Sequence, residues 1–443
     1  MYRNIQAYLD TWQTSPIRTP LVMRGARQVG KSYAVREFGQ RCFLNTVEIN
    51  LETQPEFLAC FRSHNAKSIC AELEAISNSD ITLGRTLLFV NEIQASQDAL
   101  LSLRAFKDDL PELHVIAAGS LLEFSLQDDK TFSFPVGRVT FSYLQPLSFQ
   151  EFLLALGERK LSEMIREATL LRPCSEAVHE KLLGLLRTYF VIGGMPEVVV
   201  AYCNSKSHLE ARRIQNRLVT AFMADFSKYG RRYNHRKLQQ LLGAVPRLVG
   251  KKFKFSHIDS EANARDFKLP LLDLERAGLV RLIHATSANG IPLGSEEREG
   301  VFKAQYLDVG LMLNALGLEL FSTTSEQALF ANEGAIAEQF VGQELLSSLN
   351  HEELPQLFYW TREVKGSEAE VDFVVAYGSD VIPVEVKSGA TGRLKSLRQF
   401  MIDKKSKIGI RVSQHALSKI DDLVSVPLYM VSEIPRLIGE VLA

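Results

Sequence analysis

Eight residues, Gly25-Ala-Arg-Gln-Val-Gly-Lys-Ser32, set the tightest limit on what this 443-residue chain can fold into. They match G-x-x-x-x-G-K-[ST] without a gap, follow the apolar run Leu21-Val22-Met23 and precede a stretch that reads as helix. In that setting the glycines let backbone N–H groups close on phosphate oxygens, and the start of the helix adds its partial positive charge. The motif therefore assigns Gly25, Ala26, Arg27, Gln28, Val29, Gly30, Lys31 and Ser32 to nucleotide binding. Lys31 is expected at the β/γ-phosphates and the Ser32 hydroxyl on Mg²⁺, with ATP as the ligand.

Such a loop needs a parallel sheet to carry it. Short apolar runs at Leu21–Met23, Val47–Asn50, Leu87–Val90 and His114–Ala118 alternate with helical stretches, as strands buried on both faces of a parallel sheet do. The third run ends in Asn91-Glu92. Glu92 is placed to orient and polarise the attacking water. Asn91 stands where an aspartate would hold Mg²⁺ through water; an amide still accepts a hydrogen bond but brings no charge. Hydrolysis is thus expected to suffer more than binding. Ser120, after the fourth run, reads equally as a sensor of the γ-phosphate or as the cap of the next helix. Arg138 reads as an arginine acting on a nucleotide, in its own copy or a neighbour's, or as half of a structural ion pair.

The fold class expected is α/β and multidomain. A P-loop domain with an AAA-like parallel sheet covers 1–155. A helical lid or linker covers 156–235 and a winged-helix-like unit 236–330, with a helix Ala264 to Ala277 capped by Gly278 and a two-residue hairpin at Asn289-Gly290. A separate small α/β domain covers 331–443. Between 201 and 255, thirteen Lys and Arg face only Glu210 and Asp225, a local excess of +11 in a chain of net charge −1. DNA is the expected partner of this segment, with Tyr229, Tyr233 and Phe253 as stacking candidates. The rival reading is a solvated helix surface used for protein contacts.

A second constellation lies near the end of the chain. Glu385 and Lys387 share one strand face because the side-chain period is two, and Asp372 on a neighbouring strand can join them. Two carboxylates and a lysine at strand ends can bind Mg²⁺, activate water and stabilise a pentavalent phosphate. Asp372, Glu385 and Lys387 are the catalytic candidates, with Glu338 as a further metal ligand and Glu333 and Glu344 as weaker ones. Ser32, Glu338, Asp372 and Glu385 make up the expected metal ligands. The alternative is a solvated Glu/Lys pair, which the surrounding Val371, Phe373, Val384 and Val386 disfavour.

At these residues the chain resembles a family of bacterial and archaeal AAA-type ATPases whose C-terminal domain, of unknown function, is related to the PD-(D/E)xK nuclease fold. The resemblance is carried by Arg24 to Ser32, Asn91-Glu-Ile-Gln94, Ala117 to Glu123 and Phe134 to Arg138. Further on it rests on Pro146-Leu-Ser-Phe149, Gly193-Gly-Met-Pro196, Leu307-Asp-Val-Gly-Leu311 and Glu370 to Gly389. It implies an ATPase with Lys31, Ser32 and Glu92 at its site, a winged-helix region, and a restriction-endonuclease-like end with Asp372, Glu385 and Lys387. Asn91 departs from the family's aspartate.

Five cysteines, odd in number and without a C-x-x-C pair, exclude a disulfide framework or zinc ribbon and suit a reducing compartment. No apolar run is long enough for a membrane span, and a cytoplasmic location is expected. Two functions stay open: an ATPase coupled to DNA binding and Mg²⁺-dependent cleavage, or an ATP-dependent switch or scaffold with an inactive nuclease fold. A homo-oligomer is compatible with both.

Overall fold

The computed structural model describes residues 1–119, 137–229, 235–258, 264–317, 326–364, 367–387 and 394–442. Ser120 lies outside them, as do Arg231, Arg232 and Tyr233.

The N-terminal part is a mixed α/β unit built on five parallel strands: β1 (Leu21–Arg24), β2 (Asn45–Asn50), β3 (Thr86–Asn91), β4 (His114–Ala118) and β5 (Thr140–Tyr143). Their order is β2-β3-β4-β1-β5. Every residue of β3 and β4 is buried, which explains the unbroken apolar runs: helices cover both faces of the sheet. The four strands expected from sequence are β1 to β4. The fifth, Thr-Phe-Ser-Tyr, is too short and too polar to announce itself, and only Ser142 in it is fully buried.

A helical region follows, with helices at Phe149–Ala155, Arg159–Glu167, Glu176–Ile192, Pro196–Ser205, His208–Tyr229 and His235–Leu248. Beyond the helix Ala264–Arg276, ended by Gly278, come strands β6 (Val280–Thr286) and β7 (Glu297–Tyr306). These do not form a free-standing wing. β6 pairs in parallel with β8 (Leu357–Val364), Ile283 lying opposite Leu357, so the β6–β7 hairpin enters the C-terminal sheet. Its connection is also no two-residue turn. It runs from 287 to 296, and Asn289 is held by the Glu296 carboxylate rather than by a tight turn.

That sheet has eight strands in the order β12-β13-β11-β10-β9-β8-β6-β7, adding β9 (Ser367–Tyr377), β10 (Asp380–Val386), β11 (Gly409–Ser413), β12 (Ser418–Ile420) and β13 (Leu423–Pro427). The sheet therefore crosses the boundary expected at 330. One face is covered by the helix Glu326–Ser347, whose Ile336, Ala337, Phe340 and Val341 are buried. Among the described residues the largest of three apolar clusters runs from Ile5 through Phe149, Tyr189 and Leu248 to Ile438.

Candidate functional site

The phosphate loop leaves β1 at the carboxyl edge of the parallel sheet, where the strand order changes direction around β1 and β4. Gly30 has φ 95° and caps the helix Lys31–Cys42, a backbone that glycine adopts at no steric cost. From that helix start the loop's N–H groups face the space a phosphate would enter. Lys31 is buried, and its Nζ donates 2.9 Å hydrogen bonds to the carbonyl oxygens of Gly25 and Ala26. Burial pushes its ammonium down to about 8, Glu92 pulls it back up, and Arg27 pushes it down. Incoming phosphate oxygens would replace the two carbonyls and restore the charge.

Ser32 Oγ donates to Asn91 Oδ1 at 3.3 Å, so the hydroxyl and the amide at the end of β3 stand side by side. This pair of hard oxygens fits Mg²⁺ brought in with a nucleotide: Ser32 would hold it directly and Asn91 through water. Mg²⁺ would neutralise charge developing on the phosphates. Glu92 sits in the left-handed region, φ 52°, which turns it off the strand end, and its Oε2 accepts a 2.5 Å hydrogen bond from Gln94 Nε2. A cavity of about 380 Å³ opens beside Gly25 and Ala26, lined by Arg24, Gly119, Arg276, Gly278 and Arg281.

Two contacts of the loop were not legible in the sequence. Arg3, fully buried, donates to the Val29 carbonyl at 2.7 Å, to the Gln145 carbonyl at 2.7 Å and to Glu151 at 3.0 Å. Nothing in its neighbours marks it; it reaches the loop only through the packing of the first helix. Arg27 pairs with Asp225 on the basic helix His208–Tyr229 and, at 3.7 Å, with Glu52.

Arg138 does not reach its own site. It precedes β5 at the amino edge of the parallel strands, opposite the loop, and pairs with Asp108 at 3.2 Å. The expectation of a nucleotide contact within one chain is thereby corrected.

The C-terminal candidates do assemble. β9 and β10 run antiparallel with Phe373 opposite Val384, which brings Asp372 beside Glu385 and Lys387. Asp372 Oδ2 accepts the Val386 N–H at 2.8 Å, and Lys387 Nζ donates to Glu385 Oε1 at 2.5 Å. Burial, then Asp372, pushes the Glu385 carboxyl up to about 7. Glu338 faces the same place from its helix. A fifth participant was not foreseen. Lys303 of β7, with no exposed surface, places Nζ 2.9 Å from Glu338, 2.7 Å from Glu370 and 3.6 Å from Asp372. Burial alone would lower its pKa, but Glu338, Asp372 and Glu370 hold the ammonium far above the usual lysine range. The only signal was a lysine in the apolar stretch Val301-Phe-Lys-Ala304.

The carboxylates as arranged do not fit a divalent metal. Among the described residues no three such side chains are grouped to hold one. Within this cluster, and among the described residues, Glu385 Oε2 is the oxygen that is fully buried without a partner. Ser32 belongs to the phosphate loop and not to this cluster. Glu344 is no ligand either: it is buried and accepts the Phe149 N–H at 2.8 Å. The side chain of Glu333 lies outside the described residues.

The basic segment is partly spent internally. Arg213 pairs with Glu210, Arg217 with Glu197, and Lys237 with Asp266. Arg236, Arg247, Lys251 and Lys254 are exposed. Phe253 is buried and stacks on Phe302 with centroids 5.2 Å apart, so it belongs to the core and offers no face to a base. The Tyr229 side chain lies outside the described residues.

Fold and loop together define a P-loop ATPase domain of AAA type. Residues 18–153 match the AAA domain family, and residues 183–322 and 333–430 match two domains of unknown function, DUF8612 and DUF4143. No curated protein matches. Among solved structures the chain is similar to the Walker-type ATPase PABY2304 of Pyrococcus abyssi, at 16% identity, covering 70% of this chain and 94% of that one, with a TM-score of 0.44. It is also similar to the Aeropyrum pernix ORC1 protein in complex with DNA, at 11% identity, covering 74% and 95%, with a TM-score of 0.30. Among the described residues no helix is long and apolar enough to cross a membrane.

Proposed function

We propose that this chain is an ATP-dependent switch: the phosphate loop binds and slowly hydrolyses Mg-ATP, and the nucleotide state sets how the basic helices meet nucleic acid. One observation carries the coupling. Arg27 lies inside the loop, yet its guanidinium pairs with Asp225 on the helix His208–Tyr229. Phosphate oxygens entering the loop compete with Asp225 for Arg27, so binding and release of nucleotide are felt directly by that helix. Lys31 and Ser32 hold the phosphates and Mg²⁺. Glu92, turned off β3 and gripped by Gln94, is the group that orients the attacking water. The neutral Asn91 suits slow turnover, which a switch needs more than a motor does.

The partner is nucleic acid, recognised through phosphates by the exposed Arg236, Arg247, Lys251 and Lys254. The division into a P-loop domain, a helical region, a winged-helix-like region and a nuclease-like end remains our reading of the chain, with the β6–β7 hairpin shared between the last two. Of the two functions left open by the sequence, the arrangement around Lys303 favours the one without cutting.

The site is tested with fluorescent ATP and a phosphate-release assay. Lys31→Ala is expected to weaken ATP binding tenfold or more, and Glu92→Gln to bind ATP normally while turnover falls at least a hundredfold. Unchanged binding in Lys31→Ala would overturn the reading.

A further inference from the structure

The carboxylate cluster of the C-terminal sheet already contains a cation, and it comes from elsewhere in the chain. Glu338, Glu370, Asp372 and Glu385 lie on the long helix, β9 and β10, whereas Lys303 is delivered by β7. We propose that the Lys303 ammonium takes the place of the divalent metal that such a carboxylate set would otherwise bind, so that this chain's site is complete without metal. The proposal rests on reading the C-terminal sheet as nuclease-like, and it names what has replaced the cutting chemistry there.

Distances make the first argument. A divalent ion needs carboxylate oxygens at about 2.0–2.6 Å. The Lys303 Nζ, at 2.7 and 2.9 Å from Glu370 and Glu338, uses the lone pairs that would turn to the metal. Seated among the same carboxylates, a metal would sit only a few ångströms from the ammonium, and the two cations would repel strongly where water is excluded.

The remaining oxygens make the second. Asp372 Oδ2 is engaged by the Val386 N–H and Glu385 Oε1 by Lys387, and Glu385 Oε2 is fully buried without a hydrogen-bond partner. A Mg²⁺ or Mn²⁺ seated there would have to draw its further oxygens from carboxylates already paired with Lys303 and Lys387.

The third is that Lys303 cannot step aside. Its backbone is paired with Ile283 on one edge and bridged to Lys252 on the other, and its Nζ lies 5.2 Å from the centre of the Tyr359 ring. An ammonium held this way, fully desolvated and satisfied by three carboxylates, is a fixed part of the sheet.

Removing the ammonium while leaving the carboxylates should therefore uncover a metal site. The experiment is a Mn²⁺ titration followed by electron paramagnetic resonance of free Mn²⁺, on the full chain without nucleotide or DNA. In this way, failure of the ATP or nucleic-acid reading leaves the outcome untouched. Wild type, Lys303→Met, Asp372→Asn and the double variant are compared, with circular dichroism to establish folding. Wild type is expected to leave Mn²⁺ free up to millimolar concentration. Lys303→Met is expected to take up one Mn²⁺ per chain at least tenfold more tightly, and the double variant to lose it. Two results overturn the proposal: wild type binding one Mn²⁺ that Asp372→Asn abolishes, or folded Lys303→Met binding none. Should Lys303→Met fail to fold, the wild-type and Asp372→Asn pair decides alone. The two failures differ: wild type that binds Mn²⁺ through Asp372 keeps a nuclease-like metal site and refutes only its displacement by Lys303, whereas wild type and folded Lys303→Met that are both silent refute the nuclease-like reading along with it.

Discussion

At the scale of single residues, the phosphate loop was readable because its chemistry is local: eight consecutive residues hold the glycines, the lysine and the hydroxyl. Asn91 was readable for the same reason, and its consequence is now concrete. Its neutral oxygen lies 3.3 Å from Ser32 Oγ, where a carboxylate would add a full negative charge next to Mg²⁺. Asn91→Asp is therefore expected to raise Mg²⁺-dependent ATP turnover several-fold and to shift its Mg²⁺ dependence to lower concentration, as phosphate release at varied Mg²⁺ would show. An unchanged Mg²⁺ profile would mean that Asn91 does not face the metal. Arg3 and Lys303 were not readable. Each acts through partners far away in sequence, Glu151 and Glu338, and a lone basic side chain carries no sign of where it will end.

At the scale of elements, three of the sequence strings that carried the family resemblance meet in one buried junction. Leu147 N donates to the Gly194 carbonyl at 2.7 Å, and Asp308 accepts the Gly194 N–H at 2.6 Å. A Cβ on Gly194 would lie 2.2 Å from the Leu147 carbonyl oxygen, so only glycine permits this approach. The strings were visible in sequence; that they touch was not, because three separate segments supply them. Beside the junction, Glu344 on the long helix receives the Phe149 N–H, and burial, opposed by that hydrogen bond, pushes its carboxyl up to about 8. An acid raised in the folded state binds its proton more tightly there than in the unfolded chain. Its contribution is complete below about 4.5 and is lost as pH rises through about 8. Glu344→Gln keeps an oxygen for Phe149 and has no charge to bury. The variant is expected to melt above wild type at pH 9, by on the order of 2 kcal/mol, and to match it near pH 5. Thermal melts across that range test this, and parallel curves for the two proteins would refute it.

At the scale of the molecule, the parallel sheet, its first four strands and the helical middle followed from hydropathy patterning. The union of the β6–β7 hairpin with the C-terminal strands did not. Parallel pairing of β6 with β8 joins segments more than sixty residues apart, and no local pattern distinguishes such a hairpin from a free wing. One consequence is that the helical region, the hairpin and the C-terminal sheet share a continuous core with the ATPase domain. Nucleotide-driven change is thus expected at ion pairs such as Arg27–Asp225 rather than as free swinging of domains. The measurement that tests this most directly is the affinity of the full chain for a fluorescent DNA duplex, by anisotropy at several salt concentrations, without nucleotide and with a slowly hydrolysed ATP analogue. Binding that weakens steeply with salt, differs at least threefold between the two nucleotide states, and loses that difference in Asp225→Asn is the expected result. DNA affinity that is indifferent to nucleotide in the wild type, or no DNA binding at low salt, would contradict it.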